Sequence, residues 1–141
     1  MRRKLNCILL IDDDEPTNFL NKLIIEEAEC AENVQVEQSA PDALEYLTTE
    51  IEEVAGSGST PDLIFLDINM PAMDGWEFLE EYQKLTPAQK ARVIVVMLTT
   101  SYNPEDEVKA RNHGLIAEFR NKPLTTEMLM DVLHQHFPEK F

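Results

Sequence analysis

Apolar and polar residues follow two patterns along the chain, short apolar runs and longer segments of helical periodicity. The short runs are rich in Val, Ile and Leu and indicate strands, whereas apolar residues three and four positions apart indicate amphipathic helices. The runs predict five strands, at residues 5–11, 33–39, 63–68, 92–98 and 115–119. The periodic segments predict five helices, at residues 16–28, 41–54, 76–82, 104–113 and 125–137.

The regular alternation of strands and helices determines the expected architecture. Strands joined by helices form a parallel sheet with helices on both faces. The first, third and fourth strands are almost continuously apolar and belong at the centre, whereas the alternation of Val34 and Val36 with polar residues places the second strand at an edge. This pattern predicts an α/β fold of the flavodoxin-like type, a doubly wound (βα)5 parallel sheet in the strand order 2-1-3-4-5.

Helix-end signals support these boundaries. Asp14 is expected to be the N-cap of the first helix, with Pro16 in its first turn. Gly114 is expected to end the fourth helix. Within the first helix, apolar residues recur at the spacing of an amphipathic segment: Phe19, Leu20, Leu23, Ile24 and Ala28.

The chain is strongly acidic, with 27 acidic and 12 basic residues and a net charge of −15. Such a protein is not expected to bind a nucleic-acid backbone or an anionic membrane directly. Solubility explains most of this kind of acidity, and a cation-binding pocket would use part of it.

The cysteines and the first residues bear on localisation. Cys7 and Cys30 lie in apolar segments, so we expect both to be buried thiols in a reducing compartment. The apolar stretch after the basic residues 2–4 ends at Ile11, which is too short for a signal peptide or a membrane span. We therefore expect a cytoplasmic protein with a single domain over residues 1–141 and no output domain.

Polar residues that could bind a ligand or take part in a reaction lie at the ends of four of the five predicted strands. Three consecutive aspartates, residues 12–14, follow the first strand, and Asp67 lies at the end of the third. Residues 99–101 are hydroxyl-bearing and follow the fourth strand, and Lys122 follows the fifth. In such sheets ligands bind beyond the carboxyl ends of the strands, so we expect these side chains to converge there.

These residue types suit phosphoryl transfer assisted by a metal ion. Clustered carboxylates at Asp12, Asp13 and Asp67 would raise one another's pKa unless a cation lay among them, and Mg²⁺ prefers such oxygen ligands. Asp67 could be a nucleophile, while Thr99 and Lys122 could supply a hydroxyl group and a positive charge. Taken singly, these residues have simpler explanations. The run of aspartates at residues 12–14 could be a solvated turn, Thr99 a β-branched residue that ends a strand, and Lys122 an ordinary surface lysine.

Taken together, four motifs resemble those of response-regulator receiver domains of two-component systems. They are Ile11-Asp12-Asp13-Asp14, the ten residues 66–75 (LDINMPAMDG), Leu98-Thr99-Thr100 and Asn121-Lys122-Pro123. The resemblance covers roughly residues 5–137. By that resemblance Asp67 would be the phosphoacceptor, and Asp12, Asp13 and Asp67 would hold a magnesium ion together with the backbone carbonyl of Asn69.

The resemblance also implies a switch. Thr99 and Lys122 would contact the phosphoryl oxygens, and the peptide bond before Pro123 would be cis. Phosphorylation would draw Thr99 inward and let Phe119 move into the vacated space, although Phe119 could equally be a plain core residue. By the same resemblance, the side chains of Asn69 and Ser101 would lie at positions that tune the rate of phosphoryl loss in this family.

The function implied by the resemblance is a phosphorylation-dependent signalling switch. The phosphoryl donor would be a sensor histidine kinase or a histidine phosphotransfer protein, and output would pass through contacts with a downstream protein of unknown identity. Whether the chain is a terminal switch, a relay shuttle or a phosphate sink stays open at this point, as does dimerisation on phosphorylation.

Two other classes of function, an enzyme and a constitutive binding module, fit these residues less well. A magnesium-dependent phosphatase with an aspartyl intermediate needs a second carboxylate close after the nucleophile, and Asn69 occupies that position. A nucleotide hydrolase needs a glycine-rich phosphate loop with a lysine, which the segment 56–60 lacks. A receiver that binds partners without phosphorylation is the remaining alternative, and the complete set of motif residues disfavours it.

Overall fold

The structure is a computed structural model that describes residues 4–53, 61–84, 94–100 and 103–141. Within those residues it contains five strands and five helices. The strands are β1 (Leu5–Ile11), β2 (Ala31–Glu37), β3 (Leu63–Asp67), β4 (Ile94–Thr99) and β5 (Ile116–Asn121). The helices are α1 (Glu15–Ala28), α2 (Ala40–Glu53), α3 (Gly75–Gln83), α4 (Pro104–Arg111) and α5 (Thr126–His136).

All neighbouring strands pair in parallel, in the order β2-β1-β3-β4-β5. The flavodoxin-like α/β fold predicted from the sequence is therefore confirmed, including its strand order. Every residue of β3 is buried, and β1 exposes only Asn6, as expected for central strands. β2 is only partly buried, in agreement with its place at the edge.

The sheet separates two hydrophobic cores. On one face Ile25 of α1 and Leu129 of α5 belong to the same cluster as Leu10 of β1. On the other face Leu47 of α2 and Phe78 of α3 cluster with residues from β1, β3 and β4. Successive side chains along each central strand point alternately into the two cores. This packing on both faces holds the carboxyl ends of the strands in fixed register.

The helix starts follow the sequence closely. The side chain of Asp14 accepts a hydrogen bond from the backbone N–H of Thr17 (3.0 Å), so Asp14 is the N-cap of α1 as predicted. Thr125 caps α5 in the same way through Met128 (3.1 Å). Ser39 was predicted to end β2, but its hydroxyl oxygen accepts from the backbone N–H of Asp42 (3.2 Å) at the start of α2. β2 therefore ends two residues earlier than its sequence pattern suggests.

Helix α1 is confirmed but buries few of its apolar residues, and one prediction about a helix end was wrong. The side chains of Phe19, Leu20 and Leu23 in α1 are 63%, 58% and 39% exposed. The buried residues of α1 are instead Asn18, Asn21 and Ile25, while Ile24 and Ala28 are only partly buried. Gly114 does not end α4, because the C-cap is Asn112 in a right-handed helical conformation.

Several sequence predictions concern residues that lie wholly or partly outside the described part of the chain. The start of the fourth strand at residues 92 and 93 and the loop at residues 55–60 lie there. Cys7 and Cys30 are described, and the structure places both as buried thiols, as expected. Among the described residues, no helix combines the length and the apolar character needed to cross a membrane.

Candidate functional site

Four chain segments meet at the carboxyl edge of the sheet. Asp12 and Asp13 directly follow β1, and Asp67 is the last residue of β3. Thr99 ends β4, and Lys122 directly follows β5. The parallel register aligns these positions, since Asp67 pairs with Leu98 and Thr99 pairs with Asn121.

Three carboxylates form the acidic pocket, which we define as Asp12, Asp13 and Asp67. One carboxylate oxygen from each lies within 4.8 Å of the others. Asp12 and Asp67 are 5% and 7% exposed, whereas Asp13 faces solvent. Because Asp12 and Asp67 are buried and Asp13 is exposed, a ligand can reach the acidic pocket from solvent without movement of the sheet.

Lys122 provides the positive charge at this pocket. Its Nζ lies 2.5 Å from Oδ2 of Asp12 and 3.1 Å from Oδ1 of Asp67. Its backbone N–H donates to the carbonyl oxygen of Thr99 (2.7 Å), which ties the segment after β5 to the end of β4. The peptide bond between Lys122 and Pro123 is cis, as the sequence resemblance implied.

The pKa directions reflect this crowding of charges. Burial raises the pKa of Asp67, repulsion from Asp12 adds to the rise, and Lys122 opposes it. Burial would lower the pKa of Lys122, but its contacts with Asp12 and Asp67 outweigh that effect and leave the pKa raised. The positive charge of Lys122 therefore does not fully offset the effects that destabilise the Asp67 carboxylate, and Lys122 itself stays protonated.

Asp12 is held at three of its oxygen atoms. Its Oδ1 accepts from the backbone N–H of Asp14 (2.9 Å), and its Oδ2 accepts from Lys122. Its backbone carbonyl oxygen accepts from Nδ2 of Asn18 (2.8 Å), a residue of α1 that is itself 3% exposed. Sequence reasoning missed Asn18, and the only available signal was a polar residue four positions after the N-cap of an amphipathic helix.

The loop after Asp67 packs closely against that residue. Gly75 donates its N–H to the carbonyl oxygen of Ile68 (2.8 Å), and a Cβ at position 75 would lie 2.7 Å from the carbonyl oxygen of Asp67. Within the loop Ala72 has a φ of 69°, in the left-handed region. Asp74 then begins α3 with a reciprocal capping box, which fixes the end of the loop.

Phe119 of β5 lies beside a separate cavity of about 340 Å³ between α4 and β5. Its ring is partly buried and packs against the core on the α2 and α3 face of the sheet. Thr99 is almost completely buried at the end of β4. A partly buried ring next to open space can change its position at little steric cost.

The remaining predicted site residues are placed as follows. Asn69 is exposed two residues after Asp67, so its side chain faces solvent beside the acidic pocket. Ser101 lies outside the described residues.

The donor set of the acidic pocket suits a magnesium ion. It offers hard carboxylate oxygens on two strand ends and an open side for water and phosphate oxygens, which is the environment that Mg²⁺ prefers. A divalent cation there would also offset the mutual repulsion that helps to raise the pKa of Asp67.

Comparison with known proteins gives one family. The family model of the response regulator receiver domain matches residues 8–134. Among curated proteins, the chain is 34% identical over 116 residues to a protein-glutamate methylesterase/protein-glutamine glutaminase of Burkholderia thailandensis. That match covers 82% of this chain and 29% of the relative, so the chain spans less than a third of the length of such proteins.

Solved structures of similar length match over nearly the whole chain. A two-component response regulator from Cytophaga hutchinsonii superposes with a TM-score of 0.83 at 32% identity, over 96% of this chain and 99% of that one. A response regulator receiver protein from Dyadobacter fermentans gives a TM-score of 0.79 at 25% identity, over 93% and 97% of the two chains.

Proposed function

The chain belongs to the response regulator receiver domain family, and from that membership we propose that it is a signalling switch whose phosphoacceptor is Asp67. The observation that carries the proposal is the setting of Asp67. It ends a wholly apolar strand, lies within reach of two further carboxylates, and has Lys122 at 3.1 Å.

The proposed reaction transfers a phosphoryl group from a phosphohistidine to Asp67. A carboxylate oxygen of Asp67 forms a bond to phosphorus while the bond from phosphorus to the imidazole nitrogen breaks, and the imidazole leaves with the bonding electrons. When bound, Mg²⁺ would neutralise charge on the phosphoryl oxygens, held by Asp12, Asp13, Asp67 and the backbone carbonyl of Asn69.

Two residues act on the product. The Nζ of Lys122 already contacts Asp67 and would pair with one phosphoryl oxygen. The hydroxyl of Thr99, at the end of the neighbouring strand, would donate to another. Movement of Thr99 toward the phosphoryl group lets Phe119 shift within the space between α4 and β5, which changes the surface presented by α4, β5 and α5.

This receiver domain acts in the cytoplasm and signals through protein contacts. Its phosphoryl donor is a sensor histidine kinase or a histidine phosphotransfer protein, and its downstream target is another protein or a second copy of the phosphorylated chain. Its net charge of −15 disfavours direct contact with nucleic acid or an anionic membrane. The receiver domain itself catalyses only its own phosphorylation and dephosphorylation.

The test is intact mass after incubation with acetyl phosphate, with and without MgCl₂. We expect one added phosphoryl group that requires magnesium and is lost in Asp67→Asn. Asp42→Asn, a change to an exposed aspartate of α2, is the matched control and should retain the adduct.

Two results would contradict the proposal. If the wild-type chain gains no mass and beryllofluoride causes no change in the fluorescence of Trp76, the chain is a constitutive binding module instead. A mass gain that persists in Asp67→Asn would place the acceptor elsewhere.

A further inference from the structure

Helix α1 buries polar residues and exposes apolar ones on the turns next to the acidic pocket. Asn18 and Asn21 are 3% and 5% exposed, whereas Phe19 and Leu20 are more than half exposed. Burial of an amide costs free energy unless a hydrogen bond compensates for it, and an apolar side chain on the inner face would avoid that cost. The inner face of α1 therefore has a use other than hydrophobic packing.

The hydrogen bonding of Asn18 identifies that use. Its Nδ2 donates to the carbonyl oxygen of Asp12 (2.8 Å), while its Oδ1 is buried and has no partner among the described atoms. Exchanging the nitrogen and oxygen of the amide would set two oxygens against each other. The amide of Asn18 thus donates a hydrogen bond to Asp12, and its own carbonyl oxygen is left without a donor.

A hydrogen bond to the backbone carbonyl of Asp12 constrains the peptide group between Asp12 and Asp13. It lies in the same rigid peptide plane as the N–H of Asp13, so its orientation determines how both aspartates leave β1. The carboxylate of Asp12 is fixed separately, by the N–H of Asp14 and by Lys122. Asn18 is the contact that fixes the peptide between the two aspartates.

We propose that Asn18 is a positioning residue for the acidic pocket: its amide holds the peptide plane between Asp12 and Asp13 in the orientation that binds a divalent cation. The inference rests on the proposed function, because it assigns Asn18 a part in the magnesium affinity of that site. Partners that orient metal-binding groups without touching the ion commonly change affinity or activity by about 10- to 100-fold when removed.

Asn21 provides a matched comparison within the same helix. It is buried on the same face one turn later, and it lines the groove between α1 and the segment of Pro123 and Leu124. If buried asparagines merely complete the packing of α1, replacement of either one should have the same effect.

The experiment compares Asn18→Leu with Asn21→Leu in the full chain. Calorimetric titration with MgCl₂ gives the magnesium dissociation constant, and thermal unfolding in a chelator gives stability without the ion. Phosphorylation by acetyl phosphate at saturating magnesium is measured by intact mass. Asn18→Ala is the second variant, since it adds no bulk and remains informative if leucine prevents folding.

We expect Asn18→Leu and Asn18→Ala to raise the magnesium dissociation constant by roughly tenfold, with Asn21→Leu staying within about twofold of wild type. Equal magnesium affinity in all chains, or equal losses for Asn18→Leu and Asn21→Leu, would overturn the assignment. If the wild-type chain itself binds no magnesium and takes no phosphoryl group, the proposed function fails instead, so the two failures are distinguishable.

Discussion

Asp67 is placed where its own charge is unfavourable. Burial, together with repulsion from Asp12, raises its pKa above the ordinary value of 3.8, although Lys122 opposes the shift. A carboxyl group whose pKa is higher in the folded than in the unfolded chain binds more protons when folded. Folding stability therefore falls as pH rises from that ordinary value through the folded pKa.

We expect Asp67→Asn to unfold at a higher temperature than wild type at pH 7 in the absence of magnesium. A gain of about 1 kcal/mol would correspond to roughly 3 to 5 °C in a domain of this size. The difference should disappear near pH 3, where both chains carry an uncharged group. Circular dichroism melts at the two pH values measure it, and no gain at pH 7 would mean that Lys122 already compensates for the charge of Asp67.

Gly75 is the other residue whose identity the site dictates. A Cβ there would lie 2.7 Å from the carbonyl oxygen of Asp67 and 3.1 Å from the Cα of Ile68, both of them backbone atoms. We expect Gly75→Ala to lower the free energy of unfolding by about 1 to 3 kcal/mol, as overpacking does. It should also slow phosphorylation by acetyl phosphate, because the backbone of the proposed acceptor must move.

Gly114 is the natural control for this change. A Cβ at that position meets no atom within 4 Å, so Gly114→Ala should be neutral or slightly stabilising, by up to about 1 kcal/mol. Urea denaturation of the two variants gives the comparison. Equal stability of both would show that the loop after Asp67 adjusts freely.

At the scale of elements, the buried side of helix α1 contributes much more to the free energy of unfolding than its exposed side does. Ile25 is 1% exposed in the core shared with α5, while Leu20 projects into solvent. We expect Ile25→Ala to cost about 2 to 5 kcal/mol of unfolding free energy, the usual range for emptying a core site. Leu20→Glu should change it by less than about 0.5 kcal/mol. Urea unfolding measures both, and a large loss in Leu20→Glu would place Leu20 in a packed interface.

The same helix shows where sequence reasoning failed. The apolar spacing of Phe19, Leu20 and Leu23 predicted the helix, but it did not indicate that two of its buried positions hold asparagines. Periodicity reports which residues share a face and not which face the rest of the fold requires. The role of Asn18 depends on a carbonyl of another element, which no local pattern encodes.

Strand ends were also misplaced, for a related reason. β5 continues through Arg120 and Asn121 because their backbones pair with Leu98 and Thr99, whatever their side chains prefer. Its apolar pattern ends at Phe119, so a prediction from side chains stops there. The cap at Asp14 could be predicted because capping is a bond between near neighbours in sequence.

At the scale of the whole molecule, the sheet order could be predicted because burial differs between strands. Continuous apolar runs put β1 and β3 at the centre, and the alternating β2 belongs at an edge. Convergence of Asp12, Asp67 and Lys122 followed from parallel topology alone, since each lies at a carboxyl end. The distances among them, and the cavity beside Phe119, depend on packing that the sequence does not display.

The net charge of −15 makes the stability of the whole chain depend on ions in two ways. Sodium chloride should raise the unfolding temperature gradually by screening general repulsion. Magnesium at constant ionic strength should add a saturable gain, about 1.4 kcal/mol at ten times its dissociation constant. Scanning calorimetry separates the two effects. The saturable part should vanish in Asp12→Asn, and its persistence there would place the cation outside the acidic pocket.

The contact between Lys122 and Asp12 joins residues 110 positions apart, and this separation has a consequence for the chain during its synthesis. All three pocket aspartates precede the lysine in synthesis, and the lysine directly follows β5, the last strand of the chain. A contact of such long range forms late in folding. If Asp67 accepts a phosphoryl group as we propose, a product terminated before residue 122 would lack the lysine of that site and should not be phosphorylated.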